Sequence, residues 1–192
     1  MNKIKGFTLI EIIGVMAVIA ILASMATPRI FDAIEDSKVT AVIQQANTVK
    51  TTVADFYADT GIWPRHIPTH VDENLHQLMV NKNGSGNPIN GWDGPYMDKE
   101  LVNPVVGGGF QDILVTDNAS YACDLDGNGV QDGRFIIYRI DNVNDSVAQK
   151  VSQSMDKDGS VISGDGDWKK AGRVRRYGGN HGSILLICLA RV

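Results

Sequence analysis

From Ile12 to Thr27 the chain runs sixteen residues without a charge, and a single carboxylate, Glu11, stands directly before that run. Extended back to Phe7, the window is 21 residues long with Glu11 as its only ionisable group. At about 1.5 Å per residue, such a helix spans roughly 30 Å, the hydrocarbon thickness of a bilayer. Lys3 and Lys5 precede it, so the positive-inside rule leaves the short leader in the cytoplasm and carries everything beyond Pro28 across the membrane. A carboxylate at the bilayer centre costs about 3 kcal/mol and is expected where it has a role, which makes Glu11 the residue to explain. A secretory signal cut before Thr27 is an alternative, since Ser24-Met25-Ala26 supplies small residues at the cleavage positions. That alternative accounts for the length of the segment and not for its charge.

The remainder of the 192 residues has room for one globular domain. A net charge of −4 gives no concentrated basic face for phosphates, so no nucleic-acid partner is expected. The one tight basic cluster, Lys169, Lys170, Arg173, Arg175 and Arg176, reads as a solvated surface. Two cysteines exclude both a disulfide-dense miniprotein and a four-thiolate zinc site. No catalytic constellation is evident: Pro68 separates His66 from His70, His76 and His181 stand apart, and no Gly-x-Ser-x-Gly elbow is present. The chain is therefore expected not to be an enzyme.

Beyond Pro28 the pattern changes. Val39, Val42, Ala46, Val49, Val53 and Phe56 follow one another at steps of 3, 4, 3, 4 and 3, which places them in one stripe on a helix. Thr60-Gly61 followed by Trp63-Pro64 supplies the stop. Pro28 lacks a backbone donor and predicts a bend or a short melted stretch near Leu22 to Ser24. After the helix, glycine-rich and proline-rich sequence reads as a loop-rich head. Its strand candidates are Ile113 to Thr116, Tyr121 to Cys123, Phe135 to Ile140 and Ile184 to Leu189, and Asp145 to Met155 reads as a helix.

The segment Gly6-Phe7-Thr8-Leu9-Ile10-Glu11 resembles the processing signal of type IV pilins and type II secretion pseudopilins. The resemblance implies cleavage between Gly6 and Phe7 by a prepilin peptidase, methylation of the new Phe7 amine, and filament assembly in which Glu11 meets the amino terminus of a neighbour. Physically, cleavage puts an ammonium at Phe7 in surroundings whose only counter-charge is Glu11, so each buried charge requires the other. Within one chain the i,i+4 spacing already brings the two together, and the alternative is a glutamate that caps its own helix. Gly91-Trp92-Asp93-Gly94-Pro95-Tyr96-Met97, with Tyr57, Gly61, Trp63 and Pro64 upstream, is similar to the major pseudopilins. Asn103-Pro104-Val105-Val106-Gly107 departs from their pattern, which leaves pilus and secretion pseudopilus both open.

The expected fold is α+β, a pilin fold. A long amino-terminal helix, half membrane-spanning and half amphipathic, packs on a small antiparallel sheet with long loops. The divisions are a leader at 1–6, an assembly helix at 7–28, an amphipathic helix at 29–60 and a head at 61–192. Expected partners are copies of itself and other pilins, the peptidase and methylase, and an inner-membrane assembly platform. The head would lie in the periplasm and later in a periplasmic or cell-surface filament, with protein transport as the role in the pseudopilus case.

Two further expectations concern the head. Asp124, Asp126, Asn128 and Asp132 occupy positions 1, 3, 5 and 9 of a calcium-loop template, with Gly129 at the turn and Val130 offering its carbonyl. Phe135 stands where the bidentate glutamate belongs, so Asp156 and Asp158 are candidates to complete a calcium shell. The alternative is a set of acidic turns with no metal. Export to an oxidising compartment favours a Cys123 to Cys188 disulfide, which resembles the bond near the carboxyl end of many type IV pilins. The rival functional readings are a calcium-dependent binding module, secreted or membrane-anchored, and a membrane-anchored enzyme.

Overall fold

The computed structural model describes residues 6–64, 76–83, 85–99, 101–108, 111–116, 123, 133–156, 172–179 and 182–192. Its architecture is α+β. The elements in order are α1 (Leu9–Thr60), α2 (His76–Met79), β1 (Gln111–Thr116), β2 (Phe135–Asp141), α3 (Asp145–Met155), β3 (Val174–Gly179) and β4 (Gly182–Arg191). The chain divides into two units, Met1–Ser37 and Lys38–Val192.

In the first unit every side chain from Gly6 to Ile34 is exposed. The melted stretch expected near Leu22 to Ser24 does not form, because α1 stays helical through Pro28. Proline withholds its N–H from the Ser24 carbonyl alone, one bond in a helix of 52 residues.

In the second unit the expected stripe is the buried face of α1: Val39, Val42, Ala46, Val49, Val53 and Phe56. They share a core with Ile113, Ile136, Tyr138, Ile140, Val174, Leu185, Ile187 and Leu189 from the sheet, and with Val147, Ala148 and Val151 from α3. The sheet is antiparallel in the order β1-β2-β4-β3. Period-two alternation sends the other residues of β2 and β4 to the opposite face. There Phe135, Ile137, Ile184, Leu186 and Cys188 gather with Cys123 into a second buried cluster.

Helix α3 occupies the predicted residues, opened by the Asn144 side chain accepting the Val147 N–H at 3.3 Å. Strand β3 was not anticipated, and it corrects the reading of the basic cluster as solvated surface for Arg175 and Arg176, while Lys169 and Lys170 lie outside the described residues. Val174 is buried, and Arg176 is mostly buried, paired with Asp145 and donating to Ser183. Pairing with β4 supplies the partner that an arginine-rich segment does not announce by its own composition. Cys123 lies outside any strand, and the rest of the Tyr121 to Cys123 candidate falls outside the described residues.

Candidate functional site

Gly6, Phe7 and Thr8 precede the helix and are exposed, so the expected cleavage bond lies in backbone free of helical structure. Phe7 is 85% exposed. Thr8 and Glu11 open the helix together. The Thr8 N–H and hydroxyl donate to Glu11 Oε2 at 2.8 and 2.7 Å, and the Glu11 N–H meets Thr8 Oγ1 at 3.3 Å. This is the reciprocal capping box of Thr-x-x-Glu, which satisfies two helix donors that have no intrahelical acceptor. Glu11 therefore caps its own helix. Thr8 was not singled out from sequence, although its spacing from Glu11 carries the signal.

Fifteen large apolar side chains from Phe7 to Ile34 are exposed. Each is worth roughly 1.5–3 kcal/mol when removed from water. Their sum exceeds the usual stability of a domain, about 5–15 kcal/mol, so this surface demands an apolar environment. The segment meets the length and hydropathy needed to cross a membrane.

Residues 1–27 match the family described as the prokaryotic N-terminal methylation motif. The amino-terminal part of the chain is similar to that of fimbrial proteins and type IV pilins. Fimbrial protein EcpC of Eikenella corrodens is 42% identical over 60 residues, 31% of this chain and 39% of the relative. Type IV major pilin protein PilE1 of Neisseria gonorrhoeae is 40% identical over 67 residues, 35% of this chain and 31% of the relative. Fimbrial protein EcpB of Eikenella corrodens is 40% identical over 94 residues, 46% of this chain and 58% of the relative. The chain thus spans 31% to 58% of the length of these relatives, and no solved structure matches it.

Beyond the pilin-like segment, the head carries the remaining candidates. Cys123 and Cys188 form a disulfide across 65 residues, Cα to Cα 6.4 Å, inside the second buried cluster. The calcium-loop residues Asp124, Asp126, Asn128, Val130 and Asp132, with Asp158, lie outside the described residues. Asp156 is described, and its carboxylate is engaged: Oδ1 accepts the Arg173 N–H at 2.8 Å and Oδ2 the Val174 N–H at 3.2 Å. Phe135, at the template's twelfth position, is buried in the apolar cluster. Among the described residues no three His, Cys, Asp or Glu side chains are grouped to hold a metal.

The pseudopilin-like loop is fastened to the carboxyl end of α1. The Tyr96 hydroxyl donates to Asp59 at 2.8 Å and accepts the Asp93 N–H at 3.0 Å, while Trp92 Nε1 donates to the Gln77 carbonyl at 2.9 Å. Partial burial, helped by the Asp59 carboxylate, holds the Tyr96 hydroxyl above its ordinary pKa. Gly91 has φ +77°, and a Cβ there would lie 2.4 Å from the Asp59 carbonyl oxygen, so only glycine fits. Tyr57 and Trp63 stack at 3.9 Å.

Proposed function

We propose that this protein is a prepilin-like structural subunit, cut between Gly6 and Phe7, methylated on the new Phe7 amine, and assembled through α1 into a type IV pilus. The observation that carries the reading is the methylation motif joined to a helix whose first half leaves fifteen apolar side chains uncovered. Before assembly, residues 7–28 sit in the inner membrane with the head in the periplasm. After assembly, other copies replace lipid around them. Lipid is as apolar as a packed helix bundle, so specificity rests on side-chain fit and on charge.

Cleavage supplies that charge. It creates an ammonium at Phe7 beside the Thr8 to Glu11 box, and a carboxylate that caps its own helix in the precursor becomes the partner of an amine in the polymer. The matched relatives bear the names of fimbrial proteins and pilins, which supports a pilus. The Gly91 to Met97 loop supports the second reading, a secretion pseudopilus with a role in protein transport. Calcium binding is proposed for residues 124–132 with Asp158, since the carboxylate of Asp156 already serves two backbone donors. Calorimetric titration with millimolar calcium that gave no heat would remove the calcium proposal.

The filament reading is tested by Glu11→Ala. The variant inserts and is processed to N-methyl-Phe7, as read by mass spectrometry, yet yields few filaments. Normal filament numbers would overturn the role of the charge, and a mature terminus at Met1 or Thr27 would overturn the reading as a whole.

A further inference from the structure

We propose that Asn90–Gly91 is a deamidation site which the fold guards, and that its conversion to isoaspartate releases the Gly91 to Met97 loop from the end of α1. Asn90 is exposed and is followed by a glycine, whose missing side chain lets its amide nitrogen approach the neighbouring carboxamide. In the reaction the Gly91 nitrogen, losing its proton, attacks Asn90 Cγ. The new C–N bond closes a five-membered succinimide, and the carboxamide nitrogen leaves as ammonia. Water then opens the ring at either carbonyl. One opening gives aspartate; the other gives isoaspartate, in which the main chain runs through the side-chain carbon. Water is the sole co-reactant, and the inference stands whether or not copies polymerise through α1.

The local backbone opposes the first step. The Trp92 N–H donates to the Ile89 carbonyl at 3.3 Å, Gly91 has φ +77°, and Asn90 lies outside the positive-φ region. This is the pattern of a type II turn with Asn90 and Gly91 at its centre, which sets the Asn90 ψ at about +120°. The succinimide closes only where the Gly91 nitrogen eclipses Asn90 Cβ, at a ψ of the opposite sign. The peptide must therefore swing out of the turn, and it is held on both sides. Before it, Ile89 is buried and its N–H donates to Asn81 Oδ1 at 2.7 Å. After it, the Tyr96 hydroxyl ties the loop to Asp59, and Trp92 Nε1 ties it to the Gln77 carbonyl.

The packing that guards the site also makes the reaction one-way. Gly91 lies against the last turn of α1, where an added Cβ would stand 2.4 Å from the Asp59 carbonyl oxygen and 3.3 Å from its carbon. Isoaspartate lengthens the main chain just before Gly91 by one carbon–carbon bond, roughly 1.5 Å. A glycine seated where even a Cβ has no room cannot absorb that length. Gly91 therefore moves off α1, and Trp92 and Tyr96 leave Gln77 and Asp59 with it. Aspartate, the other product, leaves the main chain unaltered and keeps its side chain in solvent, so the loop stays fastened.

The test incubates the full-length chain in detergent micelles, which keep α1 solvated, in mildly alkaline buffer. Conversion of Asn90 is read by peptide mass mapping, and isoaspartate is told from aspartate by enzymatic methylation with an isoaspartyl methyltransferase. Folded wild type converts Asn90 at least about tenfold more slowly than the same chain unfolded in urea. Tyr96→Phe keeps the ring and removes the bond to Asp59, and it speeds conversion in the folded chain about tenfold, the worth of one hydrogen bond to a charged acceptor. Val151→Ala, a cut into the core from α3 that leaves the turn alone, does not change the Asn90 rate while the head stays folded. In the isoaspartate fraction the Trp92 Nε1–H exchanges fast with solvent deuterium, whereas Asn90→Asp keeps it slow. Equal conversion in folded and unfolded wild type overturns the guard, as does a folded Tyr96→Phe protein with the wild-type rate or a Val151→Ala protein accelerated as much. An isoaspartate fraction with slow Trp92 exchange overturns the release. Where Tyr96→Phe does not fold, the wild-type rates and the contrast between isoaspartate and Asn90→Asp decide.

Discussion

Phe31 and Phe56 lie on the same helix, yet Phe31 is 66% exposed and Phe56 is fully buried. The residues around them explain the contrast. Up to Thr27 the helix is apolar on every side, so no face is marked for one partner, and nothing short of an apolar medium on all sides covers it. From Val39 the apolar residues narrow to a stripe, with charges elsewhere, and one sheet suffices to bury it. Total hydrophobicity selects the environment a helix needs; its angular distribution selects whether that environment can come from the same chain.

Substituting the two phenylalanines tests that contrast directly. Phe56→Ala should lower the stability of the head by about 4 kcal/mol in denaturant titrations followed by the near-ultraviolet signal of its aromatics. Phe31→Ala should leave that transition where it was. Equal effects would mean the first half of the helix is also part of the head's core.

A smaller effect is expected on the face of the sheet away from α1. Cys123→Ser with Cys188→Ser should cost about 2–4 kcal/mol, since the bond closes a long loop and staples the outer cluster. Slow exchange along the α1 stripe should persist below the unfolding transition. Loss of that protection together with the outer face would show that the two clusters form one cooperative unit.

The smallest effect is a pH dependence. Tyr138 faces the α1 stripe from β2, donates to Gln111, and has its pKa raised by burial. An unfolded tyrosine ionises near pH 10, whereas the folded one keeps its proton. This contribution is complete below pH ~10 and falls by about 1.4 kcal/mol per pH unit above it. Tyr138→Phe should flatten the alkaline slope of stability, and an unchanged slope would assign it to another group.

Much of this molecule was legible before folding was considered. The stripe from Val39 to Phe56, the bounds of α3 and the body of β2 and β4 follow from periodicity and caps, which are properties of adjacent residues. The Thr8 to Glu11 box is a four-residue pattern that the sequence carries, although only its Glu11 half was read there. Pro28 does not melt the helix, because the one bond it removes is a small part of a helix of 52 residues.

What the amino-acid sequence determined by itself is the long helix, its wholly apolar and amphipathic halves and the amino-terminal methylation motif, because helical hydrogen bonds and helix faces depend on residues three or four apart. What only the tertiary structure decided is that Val174–Gly179 is a strand and that Asp112 and Asp156 hold the backbone amides of Ile113, Arg173 and Val174. A strand acquires its identity from a distant partner, and a carboxylate acquires its role from whichever N–H the fold brings within reach.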